Sequence, residues 1–355
     1  MDDPLGNVFA APESIERERA QDGLLFEIII DLSTNYSSLL DKIESGIRVR
    51  RSIDQKFLYL HPVAANKWRD LIGCQQYGIY NQCCQALRQF LKSETWKKKI
   101  NKGLNTIVNL GVGLGQKDNF ILRNFLEYTQ GKRPVTCAML DISLPMLEAT
   151  ISGLQADIAR YSNVLKVVAI RTDFLNLRFS SSYYLRKDSN TAYFILGCTF
   201  CNVNERDMMA SLMGVIKSGD LLVIGLELYD SNDSENSLER MRKFYDNDPL
   251  RELALIPLKM AGHLNADTDP SGQISVEIAH GMQHSSIEDA KTILINASLS
   301  NDRTVLLGSS NRYSREQVIN YVKGFGFRFV DSHESTDNEF YQHLVFEFKG
   351  EGQAQ

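Results

Sequence analysis

The spacing of hydrophobic positions divides the chain into a helical first part and a region of alternating elements. Apolar residues recur at helical spacing between residues 14 and 46 and again between residues 64 and 94. From residue 106 to residue 226, short apolar runs of strand length alternate with amphipathic stretches. This alternation predicts a mainly parallel β-sheet with helices on both faces, as in a Rossmann-like α/β fold.

Five apolar runs of the alternating region are predicted to be strands, and they span residues 106–110, 135–140, 165–170, 192–196 and 221–226. After residue 228, acidic and Ser/Asn-rich stretches with longer helical segments indicate an inserted subdomain. The alternation then returns with a strand at 304–307, a helix at 314–324, and strands at 327–330 and 343–348. The last two strands suit an antiparallel hairpin at the sheet edge.

These changes divide the chain into four segments. We predict an N-terminal helical segment at 1–60, a core at 61–228, an inserted subdomain at 229–303, and a C-terminal part of the core sheet at 304–350. The first and third segments are expected to form a smaller subdomain that binds a substrate.

Charge and cysteine usage narrow the class of protein. The net charge of −5 argues against nucleic acids and anionic membranes as main partners. No apolar run approaches the ~20 residues that span a bilayer, and the first residues lack the features of a secretion signal. The Cys198-Thr-Phe-Cys201 pair and the His280/His284 pair lack further ligands at metal-binding spacing. We therefore expect a cytoplasmic protein with reduced thiols and no metal.

A glycine-rich turn follows the first predicted strand of the alternating region. It contains Gly111, Gly113 and Gly115, and Asp141 ends the next strand, 26 residues beyond Gly115. Glycines let the backbone approach a ligand at a helix N-terminus, and a carboxylate at the next strand end can bind ribose hydroxyls. A tight structural turn and a helix cap would explain each feature separately, but together they favour a nucleoside site.

The third strand ends in Thr172-Asp173-Phe174. The Asp173 carboxylate can accept a hydrogen bond from an adenine amino group, and Phe174 offers an apolar face beside the ring. A helix cap with a core aromatic explains these residues equally well.

The motifs from residue 55 to residue 348 resemble the histidine-specific methyltransferases of the ergothioneine-pathway type, which use S-adenosylmethionine (SAM). The run Leu110-Gly-Val-Gly-Leu-Gly-Gln-Lys117 is similar to the glycine motif of that family, in which a lysine contacts the cofactor. The resemblance implies that Gly111, Gly113, Gly115, Lys117, Asp141, Asp173 and Phe174 bind SAM on a Rossmann-like class I methyltransferase sheet.

The resemblance also extends to residues that bind the methyl acceptor. The run at 194–203 is similar to the strand-end signature of the family, whose asparagine meets the substrate amino group at the position of Asn202. Phe244-Tyr-Asp-Asn247 resembles a motif whose tyrosine, here Tyr245, holds the substrate carboxylate. By the match at 56–77, Tyr59 and Tyr77 face the substrate pocket. Ordinary packing is the alternative role for each tyrosine.

One stretch departs from the family pattern. Where the family places a glutamate that binds the imidazole, this chain has Gly308-Ser-Ser310-Asn-Arg-Tyr313, which keeps the serine as Ser310 and loses the carboxylate. A glycine side chain cannot accept a hydrogen bond from an imidazole N–H. Histidine is therefore not expected to be the substrate.

These features predict a SAM-dependent N-methyltransferase that acts on an amino acid or related small amine. Methyl transfer requires an aligned, neutral amine, which Asn202 would orient through its side-chain oxygen. Tyr59 and Tyr245 would hold a carboxylate or other anchor, and Tyr77 and Ser310 would complete the substrate site. Two alternatives stay open: methylation of a peptide or protein residue, and a catalytically inactive cofactor-binding subunit.

Overall fold

A computed structural model of the chain describes residues 18–19, 26–30, 37–265, 267–269, 272–280, 285–299, 303–336 and 340–350. Its strands are β1 (Glu18–Arg19), β2 (Phe26–Ile30), β3 (Thr106–Leu110), β4 (Val135–Asp141), β5 (Leu165–Arg171), β6 (Thr191–Ile195), β7 (Leu221–Glu227), β8 (Ile274–His280), β9 (Lys291–Leu299), β10 (Arg303–Arg312), β11 (Phe327–Glu334) and β12 (Tyr341–Phe348).

Twelve α-helices lie in the described ranges: α1 (Ser37–Ser45), α2 (Pro62–Gly73), α3 (Ile79–Lys92), α4 (Glu94–Asn101), α5 (Gln116–Tyr128), α6 (Leu144–Ser152), α7 (Gln155–Arg160), α8 (Leu177–Ser180), α9 (Glu205–Met213), α10 (Ser234–Tyr245), α11 (Asp248–Met260) and α12 (Arg315–Lys323). A π-helical turn spans Gly46–Arg50, and short 3₁₀ helices span Gln55–Tyr59, Phe174–Asn176, Ser181–Tyr183 and Thr199–Asn202.

The strands form two sheets in the described part of the chain. The larger has nine strands in the order β1-β2-β5-β4-β3-β6-β7-β12-β11, and the smaller has the order β10-β9-β8. The run from β2 to β7 is parallel, whereas β12 and β11 are antiparallel. Every residue of β3, β6 and β7 is buried, so both faces of the sheet centre are covered. The predicted α/β fold, its five central strands and the C-terminal hairpin are confirmed.

Aromatic side chains fasten the N-terminal helices to the centre of the large sheet. Phe90 of α3, Trp96 of α4 and Phe194 of β6 contact one another with ring centroids 5.5 to 6.1 Å apart. Such tilted pairs add about 0.5–1.5 kcal/mol each beyond the burial of their surface. This packing holds α3 and α4 against the central strand β6 of the large sheet.

Two predicted elements are wrong. The region predicted to be helical at 14–46 contains β2, because Phe26–Ile30 pairs in parallel with β5; a short apolar run fits a buried strand as well as a helix. The strand predicted at 304–307 belongs to β10, which pairs with β9 in the small sheet instead of the core. In its described part, the inserted segment accordingly contains the strands β8 and β9 besides the helices α10 and α11.

Within the described ranges, none of the helices is both long and apolar enough to cross a bilayer.

Candidate active site

A cavity of about 420 Å³ opens beside the carboxyl ends of β3 to β6. One part, which we call the strand-end half, is lined by Gly111, Gly113, Lys117, Asp141, Asp173 and Phe174. The other part, the second-sheet half, is lined by Ile53, Gln55, Asn202, Leu306, Gly308 and Ser309. Tyr59, Trp68 and Tyr77 line the cavity as well, and we call them the aromatic wall.

The glycine turn after β3 has a backbone shape that lets a ligand or a neighbouring side chain come close to the main chain. Gly111, Gly113 and Gly115 all have positive φ angles, of 73°, 59° and 74°, which only glycine adopts without strain. A Cβ on Gly113 would stand 3.2 Å from Nε1 of Trp68. A Cβ on Gly115 would overlap the side chain of Thr150, so this glycine lets α5 approach α6 and does not itself line the cavity.

Asp141 is held in place by main-chain amides. Its Oδ2 accepts a hydrogen bond from the Gly113 N–H at 3.0 Å, and its Oδ1 accepts one from the Ser143 N–H at 2.9 Å. Burial raises the pKa of the Asp141 carboxyl, and these two amides oppose that rise. Each oxygen keeps a lone pair for a hydroxyl group of a ligand.

Lys117 is a buried cation at the same end of the cavity. Its side chain is 5% exposed, and its ammonium lies 5.4 Å from the centre of the Tyr80 ring. No carboxylate of the described residues forms an ion pair with it. A buried charge is costly without a partner, so this site fits the carboxylate of a ligand.

Asp173 has two protein partners. Its Oδ1 accepts from the Leu175 N–H at 3.1 Å and caps a 3₁₀ helix, while its Oδ2 accepts from Lys56 Nζ at 2.9 Å. Phe174 lies beside the glycine turn, with its ring 3.5 Å from a Cβ built on Gly111. An adenine amino group would therefore share the Asp173 carboxylate with Lys56.

Asn202 is fixed by a chain of buried polar groups. The hydroxyl of Ser310 donates to Asn202 Oδ1 at 2.6 Å, and Arg312 Nη1 donates to Ser310 Oγ at 2.8 Å. Arg312 in turn pairs with Glu227 at 2.8 Å, and both of these side chains are fully buried. Because Arg312 can only donate, the Ser310 proton is directed to Asn202. The second lone pair of Asn202 Oδ1 stays available to an amine.

Tyr59, Trp68, Tyr77 and Tyr245 form a row of edge-to-face rings with centroids 5.8, 6.1 and 6.2 Å apart. Burial raises the pKa of Tyr59 to about 12, so its hydroxyl is a donor at neutral pH. Tyr245 does not line the cavity: it lies behind Tyr77, where its hydroxyl accepts from Arg312. Of the predicted site residues, Gly115, Tyr245 and Ser310 thus stand outside the lining and the others belong to it.

Two residues near the cavity were not predicted. Glu205, fully buried at the start of α9, accepts hydrogen bonds from Ser285, Ser286, Asn311 and Tyr313. These hydrogen bonds connect the start of α9, three residues after Asn202, to β10. Gln55 fills the space beside Gly308, and its Oε1 accepts from the Ser309 N–H at 3.0 Å. The acidic residues in the first turn of α9 could have drawn attention to Glu205, whereas no feature of the sequence pattern points to Gln55.

The structure describes only part of the cysteine and histidine pairs that the sequence singled out. Cys198 and Cys201 are free, buried thiols, and burial raises the pKa of Cys198. His280 ends β8, and His284 lies outside the described residues. Within those residues, no group of three His, Cys, Asp or Glu side chains is placed to hold a metal.

Comparison with known protein families identifies the type of enzyme to which this site belongs. Residues 39–246 match the model of the histidine-specific, SAM-dependent methyltransferases. The chain belongs to this family. It is therefore a SAM-dependent methyltransferase, and SAM is its cofactor. Comparison with curated protein sequences gives no match.

Solved structures similar to this family member include methyltransferases of varied substrates. The glycopeptide N-methyltransferase MtfA with sinefungin is 14% identical, over 73% of this chain and 86% of that one, with a TM-score of 0.39. Magnesium protoporphyrin IX methyltransferase from Synechocystis PCC 6803 is 12% identical, over 80% and 94%, with a TM-score of 0.40. The 1,6-didemethyltoxoflavin-N1-methyltransferase of Burkholderia thailandensis is 9% identical, over 95% of both chains, with a TM-score of 0.39.

Proposed function

We propose that this methyltransferase transfers a methyl group from SAM to the amine of an amino acid or related small amine other than histidine. The observation that carries the proposal is the position of Asn202. This side chain lines the cavity, and the buried Arg312–Ser310 chain fixes it from behind. A fixed amide facing a ligand cavity is suited to orient an amine.

The strand-end half fits the groups of SAM. Asp141 would bind the ribose hydroxyls, and the glycines Gly111 and Gly113 leave room that a Cβ would fill. Lys117, a buried cation without an ion-pair partner among the described residues, would bind the carboxylate of the cofactor. Asp173 and Phe174 would meet the adenine.

When bound, SAM supplies an electrophilic methyl group on a sulfonium. The protein's part is to place the acceptor nitrogen in line with the bond that breaks, and Asn202 Oδ1 accepts one amine hydrogen to do so. Tyr59 donates its hydroxyl to an anchoring group of the acceptor, since its raised pKa of about 12 keeps it protonated. The amine must arrive neutral, and water carries away its proton after transfer.

Two features support a small acceptor other than histidine. The cavity of about 420 Å³ is lined by Gln55 and Tyr59 of the 3₁₀ helix and by the aromatic wall, and it would hold SAM as well as the acceptor, which leaves little room for a peptide. Gly308 brings no carboxylate for an imidazole N–H. We also propose a cytoplasmic location, supported by six free cysteines, and no nucleic-acid partner, supported by the net charge of −5.

The proposal is tested in two steps. Calorimetry with S-adenosylhomocysteine is expected to show binding to the wild type and to Asn202→Ala alike. Transfer of a labelled methyl group to a panel of amino acids, amines and peptides, with the product located by mass spectrometry, is expected to give an N-methylated small amine with the wild type. Asn202→Ala should lower its kcat/KM by about a hundredfold. A peptide as the best acceptor, or O- or C-methylation, would overturn the proposal.

A further inference from the structure

The second-sheet half contains an unassigned polar side chain, Gln55. The segment that carries it is joined to β10 by main-chain hydrogen bonds: the Ile53 N–H donates to the Leu306 carbonyl, and the Leu306 N–H donates to the Arg51 carbonyl, both at 2.9 Å. Ser52 forms a parallel bridge with Leu306. The backbone at Gln55 is thus tied to the second sheet.

The strand β10 is shaped to receive this side chain. Its pairing with β9 shifts between Leu306 and Gly308, so Leu307 is the extra residue of a β-bulge. A Cβ on Gly308 would lie 3.4 Å from Cδ and 3.5 Å from Oε1 of Gln55. Any side chain longer than a methyl group at position 308 would therefore compete with Gln55 for the same space.

The hydrogen bonds of Gln55 determine which of its atoms face a ligand. Its Oε1 is engaged by the Ser309 N–H at 3.0 Å. Its amide also meets the Tyr59 hydroxyl, where it opposes the effect of burial on that group. An amide nitrogen has two hydrogens, so one N–H is left for a ligand after the contact with Tyr59.

Asp54, Lys56 and Asp207 also line the cavity, but Lys56 is already paired with Asp54 and Asp173, and the residues assigned to the second-sheet half carry no charge. Ile53 and Leu306 provide apolar surface, while Asn202 and Ser309 provide amide and hydroxyl groups. The charged pair Arg312–Glu227 stays buried behind Ser310 and does not line the cavity. An anionic side group of an acceptor would lose water here without gaining a free cation, because the neighbouring Lys56 is already paired.

Resting on the proposed function, we propose that Gln55 selects the acceptor by donating a hydrogen bond to an uncharged oxygen of its side group, as in an amide, a carbonyl or a hydroxyl. An imidazole would also bring a ring N–H for which no carboxylate stands at this end. An apolar side group would leave the Gln55 N–H without a partner.

The test compares glutamine with methionine, two acceptors of nearly equal shape, within a panel that also contains asparagine, serine, tyrosine, leucine, phenylalanine, glutamate, lysine and histidine. The wild type is expected to have its highest kcat/KM with an oxygen-bearing neutral member and to prefer glutamine to methionine. In Gln55→Met, the glutamine-to-methionine ratio should fall about tenfold, and by no less than threefold. The dissociation constant of S-adenosylhomocysteine should stay within twofold. Gln89→Met, at an exposed glutamine of α3, is the matched control and should keep the wild-type ratio.

Three results would overturn the role of Gln55: a ratio that falls less than threefold, a wild type that prefers apolar or charged members, or no transfer to any member although S-adenosylhomocysteine binds. Should Gln55→Met fail to fold, Gly308→Val takes its place. Its side chain is longer than a methyl group and would compete with Gln55 for the same space, so the glutamine-to-methionine ratio should fall at least threefold with cofactor binding unchanged; an unchanged ratio contradicts the proposal. Failure of the wild type to bind S-adenosylhomocysteine would instead contradict the proposed function itself.

Discussion

The two halves of the cavity are built in different ways. The strand-end half comes from one continuous stretch, residues 111–174, in which consecutive strands end at the same edge and main-chain amides hold Asp141. The second-sheet half joins residues far apart in sequence: Gln55 reaches Ser309 across 254 positions, and Asn202 reaches Ser310 across 108. The residues of the strand-end half are therefore placed by local structure, whereas those of the second-sheet half depend on contacts between distant parts of the chain.

The halves also differ in charge. Lys117, Asp141 and Asp173 line the strand-end half, which suits a ligand that carries both a cation and a carboxylate. The residues assigned to the second-sheet half carry amide, hydroxyl and apolar groups, and the ion pair of Arg312 and Glu227 is fully buried behind them; Asp54, Lys56 and Asp207 also line the cavity, with Lys56 paired to Asp173 across the two halves. We infer that the strand-end half binds the cofactor and that the second-sheet half determines which acceptor is methylated. Variants that act on only one half test whether the two halves work separately.

The largest expected effect comes from Asp141→Ala, which removes the carboxylate that accepts from Gly113 and Ser143. Affinity for S-adenosylhomocysteine should fall about a hundredfold, roughly 3 kcal/mol, as measured by calorimetry. Asp188→Ala, at an exposed aspartate, serves as the control. Unchanged affinity would remove Asp141 from the cofactor site.

Asp118 lies beneath the strand-end half and should control its pH-dependent stability. Burial raises the pKa of its carboxyl from 3.8 to about 6, and its Oδ2 has no hydrogen-bond partner in the described part of the protein. The folded protein therefore binds the proton more tightly than the unfolded chain, and stability is lost as the pH rises from about 4 to about 6. The free energy of unfolding of Asp118→Asn should exceed that of the wild type by up to about 3 kcal/mol at pH 8, and by much less at pH 4.

Melting temperatures of the wild type and of Asp118→Asn at pH 4 and pH 8 measure this difference. An equal difference in melting temperature at both pH values would show that the pKa of the Asp118 carboxyl is not raised.

Ser310→Ala should weaken only the second-sheet half. The substitution removes the donor to Asn202 Oδ1 and one acceptor of Arg312, so kcat/KM for the acceptor should fall about tenfold. Binding of S-adenosylhomocysteine should stay within twofold by calorimetry. Ser218→Ala, at an exposed serine, is the matched control. A parallel loss of cofactor affinity would mean that the two halves are not separable.

The smallest effect is expected at the ion pair that links the halves, Lys56 with Asp173. Both side chains are partly exposed, so the pair contributes about 0.5 kcal/mol. Lys56→Met should raise KM for the acceptor two- to threefold in steady-state assays, because the Gln55–Tyr59 turn loses one tether. Lys97→Met, which breaks an exposed pair with Glu94, should leave KM unchanged.

The parts of the fold that sequence reasoning predicted correctly are those with local signals. The glycine turn, Asp141 and the five central strands follow from short motifs and buried apolar runs within one stretch of chain. The strand β2 was missed because five apolar residues fit either periodicity until a partner strand is known. Similarly, β10 was assigned to the core because the pattern gives strand character and not the identity of the partner.

The candidate site shows the same limit at the level of side chains. Lys117 and Asn202 line the cavity as their motifs predicted, but Tyr245 stands behind Tyr77 because Arg312 engages its hydroxyl. Arg312 itself belongs to no predicted site, since its buried partner Glu227 is 85 positions away. Long-range pairs of this kind carry no periodic signal in a single sequence.

The claim that the second-sheet half no longer selects histidine is tested most directly by the methyl-transfer rate with histidine. With labelled SAM, kcat/KM for histidine is compared with that for the neutral, oxygen-bearing amino acids under identical conditions. Histidine should be at least about tenfold poorer than the best of them, because neither Gly308 nor Gln55 offers a carboxylate to its ring N–H. Histidine as the best acceptor would contradict it.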